Sequence, residues 1–350
     1  MLTSRANKKI FEGRKRQCGL SLIEMMISIT IGLIILSAMT TLFSSQSKAR
    51  NELDKANRMI DNGRYALEVL SESLTMSGFY GSYTPSGGTT TAPDPCALAT
   101  ITDAAANLQV MLHHVQGYNA AAQASQIAGV PLTGNCAFTY TAGNARTLKA
   151  GSDILVIRRA STATPVAAAA AVANTIYLQV SNCSSDVNPY QITSSAGTFT
   201  AFRDKDCATT ASLRPFIVQI YFVSPENNVG DGIPTLKRVE LDQTGQFVTT
   251  PLVEGIEYMQ IDYGLDAPGG DGAADSYVAA PATAVAADWG NIVSVKINII
   301  ARNIETTAGY TDTKTYALGS AGSFGPFSNA YKRHAYTQVV RLVNPSSRRE

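Results

Sequence analysis

The first feature along the chain is a long apolar run close to its amino terminus. Between Gln17 and Ser47 the only charged residue is Glu24, and residues 20–43 form a stretch of 24 mostly apolar residues. A helix that crosses a bilayer needs about 20 such residues. No proline occurs before Pro85, so one helix can continue beyond the run. The pattern predicts a membrane-spanning helix.

An amphipathic pattern follows directly on the same helix. Apolar or small residues recur in alternating steps of three and four, at Leu53, Ala56, Ile60, Gly63, Leu67, Leu70 and Leu74. Residues at this spacing share one helix face. We expect this face to pack against the protein's own sheet, and pairing with a partner helix is the alternative. Gly78 is the predicted end of the helix.

Beyond residue 95 the pattern becomes that of β-strands. Short segments rich in Val, Ile, Tyr and Phe are bounded by Gly, Pro or Asn. The predicted strands are 153–160, 175–181, 216–223, 236–241, 256–263, 292–302 and 336–343, with a hairpin loop at 226–232. The alanine-rich segments 167–173 and 278–287 are interpreted as loops or short helical insertions. Consecutive strands with short connections favour an antiparallel sheet, so the predicted class is α+β, a long helix packed on this sheet.

The charge distribution orients the chain relative to the membrane. The first 19 residues hold six basic residues and one acid, out of 28 basic and 27 acidic residues in the whole chain. Without them, 22 basic and 26 acidic residues remain, a net charge of −4. A basic flank stays in the cytoplasm, so everything after Lys48 should be exported. The overall charge of +1 excludes a strongly basic nucleic-acid binder as the whole protein, and no direct nucleic-acid binding is predicted.

Glu24 is the unusual residue of the apolar run. A lone carboxylate near the bilayer centre costs about 2.5–3.5 kcal/mol on insertion scales, and such residues are usually functional. The alternative is that Glu24 lies close enough to the interface to remain hydrated.

The residues around Glu24 resemble the class III signal of type IV prepilins. Residues 16–26 read Arg-Gln-Cys-Gly-Leu-Ser-Leu-Ile-Glu-Met-Met. The resemblance implies that a prepilin peptidase cuts between Gly19 and Leu20, that the new amine of Leu20 is methylated, and that Glu24 is the fifth mature residue. The family usually has Phe where this chain has Leu20. A carboxylate in hydrocarbon is attracted strongly to such an amine on a neighbouring subunit, which gives Glu24 an expected role in assembly.

Later segments are similar to PilW-type minor pilins. These segments are 63–67, 78–81, 151–158, 252–257, 289–301 and 339–344. The resemblance implies a minor pilin that primes type IV pilus assembly and sits at or near the tip, supporting twitching motility, adhesion or DNA uptake. The implied partners are the prepilin peptidase, other minor pilins, the major pilin and a large tip adhesin.

The expected organisation has four parts. These are a cleaved leader (1–19), a transmembrane and filament-core helix (20–47), an amphipathic helix (48–80) and an exported β-rich pilin domain (81–350). Before assembly the chain should cross the bacterial inner membrane once, with its carboxyl-terminal domain in the periplasm. After assembly it should belong to the filament or its tip at the cell surface.

Four cysteines lie in the part that we expect to be exported. Cys96, Cys136, Cys183 and Cys207 are an even number in an oxidising compartment, and Cys18 belongs to the leader. Four cysteines allow three connectivities. We expect each cysteine to pair with the next one along the chain, Cys96 with Cys136 and Cys183 with Cys207. These disulfides would cross-link the insertions in that domain.

The sequence shows no recognisable set of catalytic residues. His113 and His114 are adjacent and so point in different directions, and His334 is isolated. No motif of a hydrolase elbow, phosphate loop or zinc protease occurs. We therefore expect neither an enzyme nor a cofactor.

One loop is a weak candidate for calcium. Asp262, Asp266, Asp271 and Asp275 lie in a glycine-rich segment, and calcium favours carboxylate oxygens on a bendable loop. The spacing does not match the EF-hand series, and a solvated turn with ordinary surface aspartates is the preferred interpretation.

Two other functions share parts of this pattern. A minor pseudopilin of a type II secretion system would have the same leader and Glu24. An adhesin or ligand-binding module could use the pilin end only as an anchor. The later motifs and the size of the exported domain favour the pilus.

Overall fold

The structure is a computed structural model of the 350-residue chain. It describes residues 19, 21–88, 91–97, 101–102, 107–127, 136–194, 196–242, 244–267, 269–280 and 288–349. The chain divides into two compact units, residues 1–53 and 54–350.

Helix α1 is a single helix of 54 residues, Leu22–Thr75. It joins the apolar run and the amphipathic segment that the sequence predicted as consecutive helical parts. The chain leaves the helix through Gly78, whose φ of +69° is a conformation that glycine adopts without strain. The predicted helix stop is therefore correct.

The buried face of α1 differs in part from the predicted stripe. Its buried residues are Met59, Gly63, Ala66, Leu67, Leu70 and Leu74. Leu53 is 63% exposed, so the prediction that the packed face begins there was wrong. Leu53 belongs to the amino-terminal unit, and the described residues 21–53 of that unit are exposed apart from the half-buried Glu52.

The carboxyl-terminal unit contains two antiparallel sheets and a short hairpin. The first sheet consists of β1 (Val115–Tyr118), β2 (Ile154–Ala160), β3 (Tyr177–Val180), β4 (Tyr190–Thr193), β5 (Leu213–Ser224), β6 (Thr235–Leu241) and β7 (Phe247–Glu254). The second consists of β8 (Ile256–Leu265), β9 (Ser276–Val278), β10 (Ile292–Arg302) and β13 (Arg333–Arg341). The hairpin pairs β11 (Tyr316–Ala317) with β12 (Ser323–Phe324).

Two short helices accompany the sheets. Helix α2 (Asn107–Leu112) precedes β1, and helix α3 (Val343–Ser347) follows β13. A single 3₁₀ turn, Ala168–Ala170, occupies the first alanine-rich segment, as the sequence suggested. Most of the second, residues 281–287, lies outside the described residues.

The sheet order places the long strands in the middle. The first sheet runs β1-β2-β5-β3-β4, and β6 pairs with β5 and β7. The second runs β13-β10-β8-β9. All named pairs are antiparallel, which confirms the predicted α+β class.

The core has two layers because β2 and β5 are buried on both faces. Leu155 and Ile157 face a core shared with helix α1 and the second sheet, whereas Ile154 and Val156 face a second core on the other side. Successive strand residues point to opposite faces. A strand buried on both faces therefore reads as a continuous apolar run, as residues 154–157 do.

Asp153 ties the two sheets together at the start of β2. Its backbone N–H donates to the carbonyl of Met259 at 2.8 Å, and its Oδ2 accepts from the N–H of Ile261 at 2.9 Å. Its Oδ1 accepts from the N–H of Ala120 at 2.7 Å. The sequence assigned Asp153 to the strand, but the structure uses it as a buried connector.

Candidate functional site

The functional candidate that the sequence singled out lies at the beginning of helix α1. The backbone N–H of Ser21 donates to Oε2 of Glu24 at 2.9 Å. A helix-capping residue followed three positions later by Glu, which accepts the N–H of the cap, is one half of a capping box. Glu24 therefore stabilises the first turn of its own helix. The spacing of Ser21 and Glu24, three residues apart at the start of an apolar helix, is the sequence signal for this role.

Gly19 and Leu20 lie just before this turn. An added Cβ at Gly19 would meet no described atom within 4 Å, so the chain's own structure does not require glycine there. A requirement for glycine at this position would therefore come from a protein that binds the segment. Leu20 lies outside the described residues.

The first part of helix α1, from Leu22 to Phe43, presents apolar side chains on all sides. Fourteen large apolar residues are each more than half exposed: Leu22, Ile23, Met25, Met26, Ile27, Ile29, Ile31, Leu33, Ile34, Ile35, Leu36, Met39, Leu42 and Phe43. By length and composition the helix can cross a membrane. An apolar surface of this extent marks a membrane or protein contact.

Five hydroxyl groups within this apolar segment have partners inside the helix. Ser28, Thr30, Thr40, Thr41 and Ser45 each donate to a backbone carbonyl three or four residues earlier. Polar groups in hydrocarbon must find partners within the protein. Glu24 differs from these residues because it is the only charged residue between Gln17 and Ser47.

The cysteines form the two disulfides that the sequence favoured. Cys96 is bonded to Cys136 and Cys183 to Cys207, with Cα–Cα distances of 4.9 and 5.1 Å. Cys96 and Cys136 are fully buried in the core on the outer side of the first sheet. Cys207 is exposed. The first disulfide is therefore part of the core, whereas the second joins the buried Cys183 to the exposed Cys207.

The four aspartates of the calcium hypothesis have separate partners. Asp262 accepts from Ser320 and Asn298, and Asp266 forms an ion pair with Arg349 at 2.6 Å. Asp271 and Asp275 accept backbone N–H groups within their own loop, from Ala273 and Ala267. In the described part of the chain, no group of three or more His, Cys, Asp or Glu could share an ion.

The two adjacent histidines are buried, and a ring nitrogen of each contacts a backbone carbonyl group. Nδ1 of His113 lies 2.7 Å from the carbonyl of Gln109, and Nε2 of His114 lies 3.0 Å from that of Ile292. Burial lowers the pKa of each imidazole to about 4. Both are therefore neutral at physiological pH. His334 lies apart from them, on β13.

Comparison with known families gives two matches on this chain. The family described as Type IV Pilus-assembly protein W matches residues 220–344, and the Prokaryotic N-terminal methylation motif matches residues 14–40. Among solved structures, a type IV-like pilin from Thermus thermophilus is similar at 10% identity, over 82% of this chain and 97% of that one, with a TM-score of 0.32. No curated protein matches the chain.

The methylation motif includes Gly19 and Glu24 and continues into the apolar first part of helix α1. Together these features define a prepilin of the type IV class, and they fit a membrane-anchored protein. Within that class the match over residues 220–344, from β5 to the start of α3, supports a PilW-type minor pilin.

Proposed function

We propose that this minor pilin helps to prime type IV pilus assembly and takes a position at or near the pilus tip. The observation that carries the proposal is the combination on one chain of the PilW region with an apolar helix that has Glu24 in its first turn. The helix provides the part that enters a filament, and the large sheet domain provides the part that meets other proteins.

The proposed order of events follows from the charges at the helix start. Cleavage after Gly19 removes the basic leader (1–19) and creates an amine at Leu20. The apolar helix (20–47) then leaves lipid for contact with neighbouring helices, while residues 48–80 and the domain 81–350 remain outside the membrane. Glu24 attracts the amine of a neighbouring subunit, because the low dielectric of the filament core strengthens that pairing.

The proposed locations and partners follow the same order. The precursor resides in the inner membrane with its domain in the periplasm, where the prepilin peptidase processes it. It then joins other minor pilins, the major pilin and a large tip adhesin, and supports twitching motility, adhesion or DNA uptake. The role is non-catalytic, in keeping with histidines that are buried and neutral.

The test separates the charge of Glu24 from its role as a helix cap. Glu24→Gln keeps an oxygen that can accept the N–H of Ser21 but removes the charge. Glu24→Ala removes both. We expect both variants to be cleaved after Gly19 and to reach normal levels in the inner membrane, because neither adds a charge to the apolar helix. We expect both to reduce surface pili and to be depleted from sheared filaments.

The matched control is Ser28→Ala, which alters a hydroxyl one turn further along and should leave pilus number unchanged. If Glu24→Gln cells make normal pili with normal amounts of the variant, the capping role suffices and the ion-pair mechanism is wrong. Immunogold labelling of intact pili tests the position, since a tip subunit labels the filament end only. Labelling along the whole filament would contradict the tip assignment.

A further inference from the structure

A cavity lies where the residues that follow strand β13 meet the segment that follows helix α1. Its volume is about 500 Å³, within the range of about 300–1,000 Å³ that small-molecule sites occupy. Segment 84–88, the end of helix α2, the turn before β10 and the residues at the end of helix α3 form its walls. All of them belong to the carboxyl-terminal unit. The cavity is therefore large enough for a small ligand or for the end of a peptide.

One wall of this cavity holds a cation that lacks an acidic partner. Nη2 of Arg348 donates to the carbonyl of Gly78 at 2.6 Å, and its guanidinium lies 5.8 Å from the ring centre of Tyr80. Among the described residues, none accepts from Nε or Nη1 of Arg348, and no carboxylate forms an ion pair with it. These two contacts hold the guanidinium in place, while its charge and two of its nitrogen atoms remain available to a ligand.

The other titratable groups among the described lining residues do not change this charge. Nε of Arg349 forms an ion pair with Asp266 at 2.6 Å, and its Nη1 donates to Oδ1 of Asn291 at 2.8 Å. His114 is neutral at physiological pH, because burial lowers the pKa of its imidazole to about 4. None of the described lining residues is acidic. The net positive charge of the cavity wall therefore comes from Arg348.

Segment 84–88 adds uncharged hydrogen-bond donors to the same cavity. The hydroxyl groups of Thr84 and Ser86, and the backbone N–H groups of Ser86, Gly87 and Gly88, have no partner in the described part of the chain. Backbone N–H groups of loops form anion-binding sites, and arginine binds carboxylates through charge-assisted hydrogen bonds. The combination of these donors with Arg348 favours an anion with acceptor oxygen atoms.

Another part of the lining is apolar. Met111 and Leu112, at the end of helix α2, are buried, and so is Pro345 in helix α3. Contact with such side chains is favourable for an apolar group that leaves water. A small inorganic anion has no group that could make this contact. The cavity therefore suits a ligand that has an anionic end and an apolar part.

We propose that this cavity binds a carboxylate that carries an apolar group. The guanidinium of Arg348 and the donors of segment 84–88 bind the carboxylate, and Met111, Leu112 and Pro345 contact the apolar group. The carboxyl terminus of a peptide and a small organic acid share this chemistry, and the test below distinguishes them. The proposal goes beyond a role in pilus assembly and does not depend on it.

The first test measures ligand binding to the full chain in detergent micelles by isothermal titration calorimetry. The probes are N-acetyl-leucine, its carboxamide, N-acetyl-glycine, and a peptide of alanine residues that ends in leucine with a free carboxylate. We expect N-acetyl-leucine to bind at least about tenfold more tightly than its carboxamide, which lacks the charge, and than N-acetyl-glycine, which lacks the apolar group. Tighter binding of the peptide identifies a chain terminus as the ligand, and equal or weaker binding identifies a small acid.

A pair of protein variants tests the contribution of Arg348. Arg348→Gln removes the charge and should weaken the binding of N-acetyl-leucine at least about tenfold. The matched control is Arg64→Gln, which removes one positive charge from an exposed position on helix α1 and should leave binding unchanged. Equal midpoints of denaturant unfolding for the natural protein and the variants show that the fold is kept.

Chemical protection tests the same contact in the natural protein, so the result does not depend on the stability of a variant. Phenylglyoxal modifies exposed guanidinium groups, and both Arg348 and Arg64 are exposed. Saturating N-acetyl-leucine should slow the modification of Arg348 at least about tenfold and leave that of Arg64 unchanged, as peptide mass mapping measures. No binding, equal affinity for the carboxamide or for N-acetyl-glycine, unchanged binding by folded Arg348→Gln, or an unchanged rate at Arg348 would each overturn the proposal.

Discussion

Gly63 lies where helix α1 and strand β13 approach each other most closely. A Cβ added to Gly63 would lie 2.4 Å from the ring of Tyr336, a distance that real side chains do not tolerate. The glycine therefore lets an aromatic ring of β13 rest against the helix backbone. Inside a helix, glycine costs about 1 kcal/mol relative to alanine. In this helix, the packing of the Tyr336 ring against Gly63 offsets that cost.

Gly63→Ala should destabilise the protein even though alanine is the better helix former. The overpacked Tyr336 ring costs about 1–3 kcal/mol, which exceeds or offsets the helix gain of about 1 kcal/mol. Denaturant unfolding followed by tyrosine fluorescence measures the difference. Gly63→Ala combined with Tyr336→Ala should recover the helix gain, because the clash is then absent. A more stable Gly63→Ala single variant would show that the ring moves aside freely.

At the scale of elements, Asp153 joins the two sheets through a buried carboxyl group. Burial raises its pKa to about 7, although the N–H groups of Ala120 and Ile261 favour the ionised form. A group whose pKa is higher in the folded state stabilises the fold fully below its unfolded pKa, near 4. That contribution is lost as the pH rises through 7.

Asp153→Asn should therefore change how stability depends on pH. Between pH 4 and pH 8 the natural protein should lose about 1–4 kcal/mol relative to the variant, since one pKa unit corresponds to 1.36 kcal/mol. The variant also loses one side-chain oxygen that accepts a backbone N–H, and this loss lowers its stability by the same amount at every pH. His113 and His114 act in the opposite direction below pH 6.5, but they are common to both proteins and cancel. Urea unfolding across this range is the measurement, and parallel curves would refute the shifted pKa.

The two disulfides should differ in how readily they are reduced. Thiol–disulfide exchange requires access to a sulfur atom. Cys96 and Cys136 are fully buried, whereas Cys207 is exposed, so dithiothreitol should cleave Cys183–Cys207 at least about tenfold faster in the native protein. Timed alkylation followed by peptide mass mapping gives the order. Simultaneous reduction of both bonds would mean that the protein opens globally before either bond reacts.

At the scale of the whole molecule, the proposed cleavage after Gly19 would reverse the sign of the net charge. The full chain has a charge of +1 and an isoelectric point of about 7.6, and the chain from Leu20 onward has a charge of −4. The mature protein should begin at Leu20 and focus at a clearly lower pH. Because Gly19 has no close neighbour, Gly19→Val should leave the fold intact but block this shift. A mature protein that retains Met1 would contradict the prediction.

The elements with strong periodicity were predictable from the sequence. Strand β10 was predicted at 292–302 and is observed there, because its alternating apolar residues lie on a face that is buried in the core. Strands β1, β4 and β7 were not predicted. Two of them have four residues, and β7 contains Pro251. Such segments become strands through pairing with their neighbours, and local sequence does not carry that information.

The candidate site was predictable to a similar extent. Gly19, Leu20 and Glu24 stand out because a glycine boundary and a lone carboxylate interrupt otherwise uniform patterns of charge and hydropathy. The register of β13 against β10 was not predictable, because it depends on which residues of the two strands pair, and a shift of one residue would turn every side chain to the other face.

The basic leader with its apolar run, the long helix and the class of fold can be read from the sequence, because each is a pattern that acts over neighbouring residues. The burial of particular helix residues and the way in which Asp153 connects the sheets depend on the tertiary structure. These features depend on contacts between residues far apart in the chain. The free energy of such a contact is set by the partner that the fold supplies, as Gly63 and Tyr336 show.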